Sequence, residues 1–184
     1  MTRFQSTVTA VVLAVAIVFL SAALAESASA ASCSGADKSP RRISSKTAGK
    51  AIVCLINKKR RSHGLKPLKS QRDLTQAARA HTRRMQRSNC FSHACPGEAV
   101  LSGRYARSDY LPCGCRWGAA ENIAWGPNHD GSPRKIVKAW MRSSEHRHNI
   151  LGPFDHVGAG VKWGSPTSRH ANAGTYTVDF GYRR

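Results

Sequence analysis

The chain has 184 residues, 41% of them hydrophobic, with 29 Lys and Arg against 10 Asp and Glu, for a formal charge of +19. This length suits one domain plus a targeting segment, gives enough chain for a hydrophobic core, and argues against a second domain. So basic a surface suits either polyanionic partners, outside a cell mainly wall polymers and anionic lipid headgroups, or simple solubility, and with no zinc-finger, RNA-recognition or helix-turn-helix signature nucleic acid is the less favoured partner.

At the N-terminus, Arg3 precedes an apolar run from Ala10 to Leu20 and small residues ending in Ala28-Ser29-Ala30. This pattern predicts a signal peptide over residues 1–30 cut before Ala31, with Ala23-Leu24-Ala25 as a second cutting point. The run breaks at Ser21, short of the ~18 to 20 apolar residues that a spanning helix needs, so the mature chain is expected to be secreted and to keep no transmembrane segment. Cleavage removes one base and one acid and leaves the charge at +19. Acylation at Cys33 is disfavoured, because Ala30-Ala31-Ser32 lacks a large aliphatic residue.

An exported chain with six cysteines reads as a disulfide framework, although spacing does not fix the pairing. The expected pattern joins Cys33 to Cys54 and crosses Cys90 and Cys95 with Cys113 and Cys115. A structural zinc site is the competing reading, weakened by the single residue between Cys113 and Cys115.

Residues 31–44 are small, polar and basic and read as a linker, so the folded domain is expected over 45–184. A helix follows, with Ala48, Ala51, Ile52, Leu55 and Ile56 on one face, Ser44 or Ser45 as its cap, and Gly64 beyond its end. A second helix carries Leu74, Ala77, Ala78, His81 and Met85 on its apolar stripe, where His81 reads as a buried, hydrogen-bonded core residue. Residues 88–118 lose periodicity and read as loop or short helix, stapled by cysteines. Glu121 to Gly126 reads as a short strand or turn with one acid on an uncharged patch.

Ser132 as cap and Pro133 at the first position open a third helix, which buries Ile136, Val137, Trp140 and Met141. The stretch WMRSSEHRHNIL then sets His146 on a fixed scaffold. Alternation over residues 157–163 and 176–180 predicts two strands that pair as a hairpin. The clusters Lys58-Lys59-Arg60-Arg61, Arg83-Arg84 with Arg87, and Arg183-Arg184 are expected to supply phosphate-binding surface.

His93, Glu121 and His146 are the candidate catalytic or metal-ligating residues. Two imidazoles and a carboxylate suffice as a first shell for zinc with an open position for water. No HExxH pair and no GxSxG elbow is present, so neither the usual zinc protease nor the usual serine hydrolase pattern applies.

The order of motifs from Ala48 to Tyr182 resembles the CAP superfamily (cysteine-rich secretory proteins, antigen 5 and pathogenesis-related proteins; the SCP domain) in its bacterial form. The pieces are Asn57…Arg60…Gly64-Leu65…Pro67-Leu68, Leu74…Ala77…Met85, Phe91-Ser92-His93, Glu121-Asn122-Ile123-Ala124, Trp140-Met141…Ser143…His146-Arg147…Asn149-Ile150-Leu151, Val157-Gly158…Gly160-Val161 and Tyr176-Thr177-Val178-Asp179-Phe180-Gly181. The resemblance implies an α-β-α sandwich, three layers with a central antiparallel sheet, and a cleft holding the family's histidine and glutamate at His93 and Glu121. The second glutamate and second histidine of eukaryotic members correspond here to Ser143 and Thr175, so the full tetrad is absent. His146 is the nearest substitute, ahead of Glu145, whose neighbouring helix position points about 100° away, while Arg147 and Asn149 read as residues that close the helix end.

The resemblance also implies binding of lipids and interactions at cell surfaces, with proteolysis in scattered members. The expected function is therefore that of a secreted, non-catalytic binder of lipid or anionic cell-envelope components. The alternatives are a metal-dependent hydrolase using His93, Glu121 and His146, with zinc as cofactor, and a structural secreted domain.

Overall fold

Ser44 accepts the Thr47 amide at 3.0 Å and so starts α1 (Ser45–Ser62), whose Ala48, Ala51, Ile52, Leu55 and Ile56 are buried as the spacing predicts. The helix stops at His63, followed by Gly64 at φ +70°, a backbone state that glycine enters without penalty. These features come from a computed structural model that describes residues 32–167 and 170–184. The expected signal peptide, residues 1–30, lies outside the described residues.

After α1 come β1 (Lys69–Ser70), α2 (Arg72–Arg87), α3 (Leu101–Arg107), β2 (Trp117–Pro127), a 3-10 turn (Asn128–Gly131), α4 (Pro133–Arg142), α5 (Ser144–Leu151), β3 (His156–Trp163) and β4 (Ala173–Arg183). The sheet order is β1-β3-β4-β2. β4 runs antiparallel to both neighbours, and β1 adds two residues in parallel with β3, Lys69 against His156 and Ser70 against Val157.

Helices cover both faces of the sheet. A Cβ on Gly158 would lie 2.2 Å from the backbone of Leu74, and one on Gly160 would lie 2.3 Å from the Ala78 carbonyl, so β3 and α2 pack backbone to backbone. The alternate residue Ala159 faces Gly49 of α1 instead. α3 sits with α2 through Leu74, Ala77, Tyr105 and Tyr110, while α4 sits with α1 through Ile52, Val137 and Trp140. Helices α2 and α3 therefore form one outer layer, and α1, α4 and α5 the other. Among the described residues no helix is long and apolar enough to cross a membrane.

Four expectations are corrected. The disulfides are Cys33–Cys54, as expected, but also Cys90–Cys95 and Cys113–Cys115, so the crossed pairing does not occur. Each of the last two closes within its own turn, an option open to close neighbours once the backbone folds back on itself. Arg60 is not part of a surface cluster: it is 4% exposed and donates to the carbonyls of Lys66 (2.9 Å), Ile150 (2.8 Å) and Gly152 (2.8 Å), tying α1 to the end of α5. Ser132 stands at the cap position of α4, but its buried hydroxyl makes no hydrogen bond among the described residues. The C-terminal arginines are likewise committed to partners, Arg183 to Tyr110 and the exposed Arg184 to Asp155.

Candidate functional site

β2 carries Glu121 into the layer beneath the 88–100 loop, directly opposite Asp179 of β4. The Glu121 carboxylate is 2% exposed, and both of its oxygens are taken. Oε1 accepts from Nδ1 of His93 at 2.7 Å, and Oε2 accepts from Nη2 of Arg104 at 2.5 Å. A carboxylate can only accept, so the His93 proton sits on Nδ1. Arg104 also donates from Nη1 to the His93 carbonyl at 2.7 Å and so holds the loop and the acid together. His93 itself is 58% exposed, an imidazole at the surface anchored by a buried acid.

Behind this pair, His81 is fully buried on α2. Its Nδ1 donates to Glu98 at 2.8 Å, and its Nε2 lies 3.8 Å from Glu121 Oε2, too far for a hydrogen bond. His81 is thus the hydrogen-bonded core residue that its apolar stripe predicts.

Burial pushes the Glu121 carboxyl up, but the His93 hydrogen bond and the charges of His81, Arg104 and His93 outweigh it and hold the group below the usual range. Asp179 goes the other way. Complete burial, then the adjacent Glu121 charge, lift it well above the usual carboxylate range, and neither of its oxygens finds a hydrogen-bond partner among the described residues.

His146 lies on α5, which Asn122 and Asn149 tie to β2: Asn122 donates to the His146 carbonyl at 3.0 Å, and Asn149 donates to Asn122 at 2.9 Å and to the Glu121 carbonyl at 3.2 Å. Partial burial, followed by the charge of His93, lowers the His146 pKa. His93 and Glu121 are therefore in contact, with His146 a neighbour rather than a partner. Of the two residues expected to close the helix end, Arg147 donates to the Met141 carbonyl near the end of α4 at 3.4 Å, whereas Asn149 bonds to β2 instead. Thr175 is buried and donates to the Gly164 carbonyl at 2.7 Å, and Ser143 makes no capping bond from its side chain.

Zinc does not fit this donor set as arranged. Nε2 of His93 is open, but both Glu121 oxygens are committed, to His93 and Arg104, and no three His, Cys, Asp or Glu side chains among the described residues converge as a metal site.

The sequence reading missed Arg104, Glu98 and Asp179 as members of this cluster. Arg104 and Glu98 fall in the segment without periodicity and gave no signal. Asp179 did give one, a lone acid between Val178 and Phe180 in a strand otherwise made of core residues.

A second feature lies in the other layer. Between α1 and α4 runs a groove of about 500 Å³ floored by Leu55, Val137 and Met141 and rimmed by Lys59, Lys138 and Arg142.

The cysteine-rich secretory protein family model matches residues 53–180. The chain is 39% identical over 114 residues to the uncharacterized protein YkwD of Bacillus subtilis, which covers 60% of this chain and 41% of that one. It is 31% identical over 118 residues to the uncharacterized membrane protein YlbC of the same organism, covering 62% and 32%. The chain thus spans less than half the length of these curated relatives. An extracellular SCP-domain protein of Bacillus anthracis superposes with a TM-score of 0.61 at 27% identity over 76% of this chain and 41% of that one. An outer surface protein of Borrelia burgdorferi superposes with a TM-score of 0.63 at 18% identity, over 79% and 99%, a likeness of fold alone.

Proposed function

The chain belongs to the cysteine-rich secretory protein family, and from that premise we propose that it is exported by its N-terminal leader and acts outside the cell as a binding domain for an anionic lipid. The observation that carries this reading is the α1–α4 groove. Its floor of Leu55, Val137 and Met141 offers apolar surface to an acyl chain, and the cations of Lys59, Lys138 and Arg142 at its rim suit an anionic headgroup. Burial of each methylene in such a groove contributes about 0.8 kcal/mol, and the rim supplies attraction that salt weakens.

The test is co-sedimentation of the oxidised protein with vesicles of anionic or of zwitterionic lipid. Preferential retention on anionic vesicles at low salt, weakened about tenfold or more by Lys138→Glu with Arg142→Glu, is the expected result. Retention equal to that of a neutral domain sinks the reading.

A second reading has its own support. His93, oriented through Nδ1 by buried Glu121 and 58% exposed, has the arrangement of a general base acting on water. Hydrolysis of an ester or peptide substrate that survives His93→Ala undiminished would remove it.

A further inference from the structure

We propose that the cleft between α2 and α3 is a second binding site, for a flexible phosphodiester polymer without bases, such as a polyol phosphate chain. It lies across the sheet from the α1–α4 groove and stands or falls separately from the lipid reading. The cleft measures about 440 Å³. Arg79 and Arg83 of α2 and Arg107 of α3 line it, and all three are exposed. None of the three side chains makes a hydrogen bond or ion pair with another described residue. Other arginines, among them Arg61, Arg72, Arg87 and Arg142, are likewise without a side-chain bond to another described residue, so what distinguishes Arg79, Arg83 and Arg107 is that the three line one cleft.

Arg79 and Arg83 are one helical turn apart, about 6 Å along the axis, which suits successive phosphates of a short-repeat chain. Each guanidinium can take two oxygens of one phosphate. Ala77 and Ala80 form the wall between them, so a polymer backbone can approach α2 closely. Glu98, the one acid in the lining, is 8% exposed and bonded to His81, so it does not compete for the arginines. Arg104 is fixed in the lining by Glu121, which offsets its charge, so the attraction for an anion rests on Arg79, Arg83 and Arg107.

The lining contains no aromatic residue. Single-stranded nucleic acid draws much of its affinity from bases stacked on such rings, and here the bases would gain nothing. The chemistry selected is charge along a flexible chain, with no reading of its substituents.

The experiment is calorimetric titration of the intact, oxidised protein with poly(glycerol phosphate) over a series of salt concentrations. It compares two triple variants of equal charge loss, Arg79→Gln/Arg83→Gln/Arg107→Gln in the cleft and Lys59→Gln/Lys138→Gln/Arg142→Gln at the groove. The expected result is tenfold or greater weakening by the cleft triple at low salt, with the slope of log K against log salt flattened by about 2. The groove triple should bind the polymer within about twofold of the parent. Equal weakening by both triples would reduce the effect to diffuse charge and overturn the proposal, as would tighter binding of a single-stranded oligonucleotide of matched charge. Anionic-vesicle retention, measured on the same two variants, reports on the lipid reading separately. All six side chains are exposed, and unchanged melting temperatures confirm that binding, not folding, is being read.

Discussion

Asp179 is the residue whose ionisation the fold opposes, and the sign of its effect can be worked out. Its folded pKa is raised, first by burial and then by Glu121. Such a group favours the folded state fully only below its unfolded value near 3.9 and loses that contribution as pH rises towards its folded value. Asp179→Asn removes the dependence. Its melting temperature relative to the parent should therefore rise between about pH 4 and neutral, and an offset independent of pH would refute the assignment. Glu121 has the opposite sign, since its folded pKa is lowered. Its contribution is present above the unfolded value of about 4.3 and fades as pH falls through the folded one. Glu121→Gln should cost about 3 kcal/mol in denaturant titrations at neutral pH, because Arg104 and His93 lose their shared acceptor, and the gap should narrow in acid. His93 and Glu121 could be found in the sequence because each stands in a short motif. Arg104 could not, because only the folded 88–100 loop brings it to them.

The glycines of β3 set the distance between sheet and helix. Gly158 and Gly160 let α2 lie against the strand with no side chain between, and α2 is the helix that carries His81 to the buried acids. Gly160→Ala would drive a methyl into the Ala78 carbonyl, which is backbone and cannot rotate away. The expected cost is about 1 to 3 kcal/mol, read as a shift of denaturation midpoint. A variant as stable as the parent would mean that α2 can slide without loss. The helices α1, α2 and α4 could be read in the sequence because each buries a single face against the sheet. β2 was harder: it runs over eleven residues, whereas only Glu121 to Gly126 reads as a short strand or turn in the sequence. Gly118, Ala119 and Ala120 give no hydropathy contrast, and Gly118 is small because the Tyr182 ring of β4 occupies the space a Cβ would need. α3 was hidden for a related reason, as seven residues are too few to establish a helical period.

At the scale of the whole molecule, the charge of +19 is sorted by the fold and not spread evenly. Runs of bases that look alike in sequence separate into buried clamps such as Arg60, terminal residues bound to neighbouring segments such as Arg183 on Tyr110, and two exposed sets on opposite sides of the sheet. One set rims an apolar groove and the other rims a cleft with the paired Arg104 in its lining, and the four-stranded sheet stands between them. Ligands on the two sides would not collide. If both sites work as argued, the protein is a bridge. Labelled poly(glycerol phosphate) should then sediment with anionic vesicles only when protein is added, although polymer and vesicle repel each other. Either triple variant alone should abolish that recruitment, and a mixture of the two should not restore it, because each molecule must hold both ligands at once. Competition between polymer and vesicle for the parent protein would instead mean that both draw on one basic surface. The separation into two sites would then be lost, even if each ligand bound by itself.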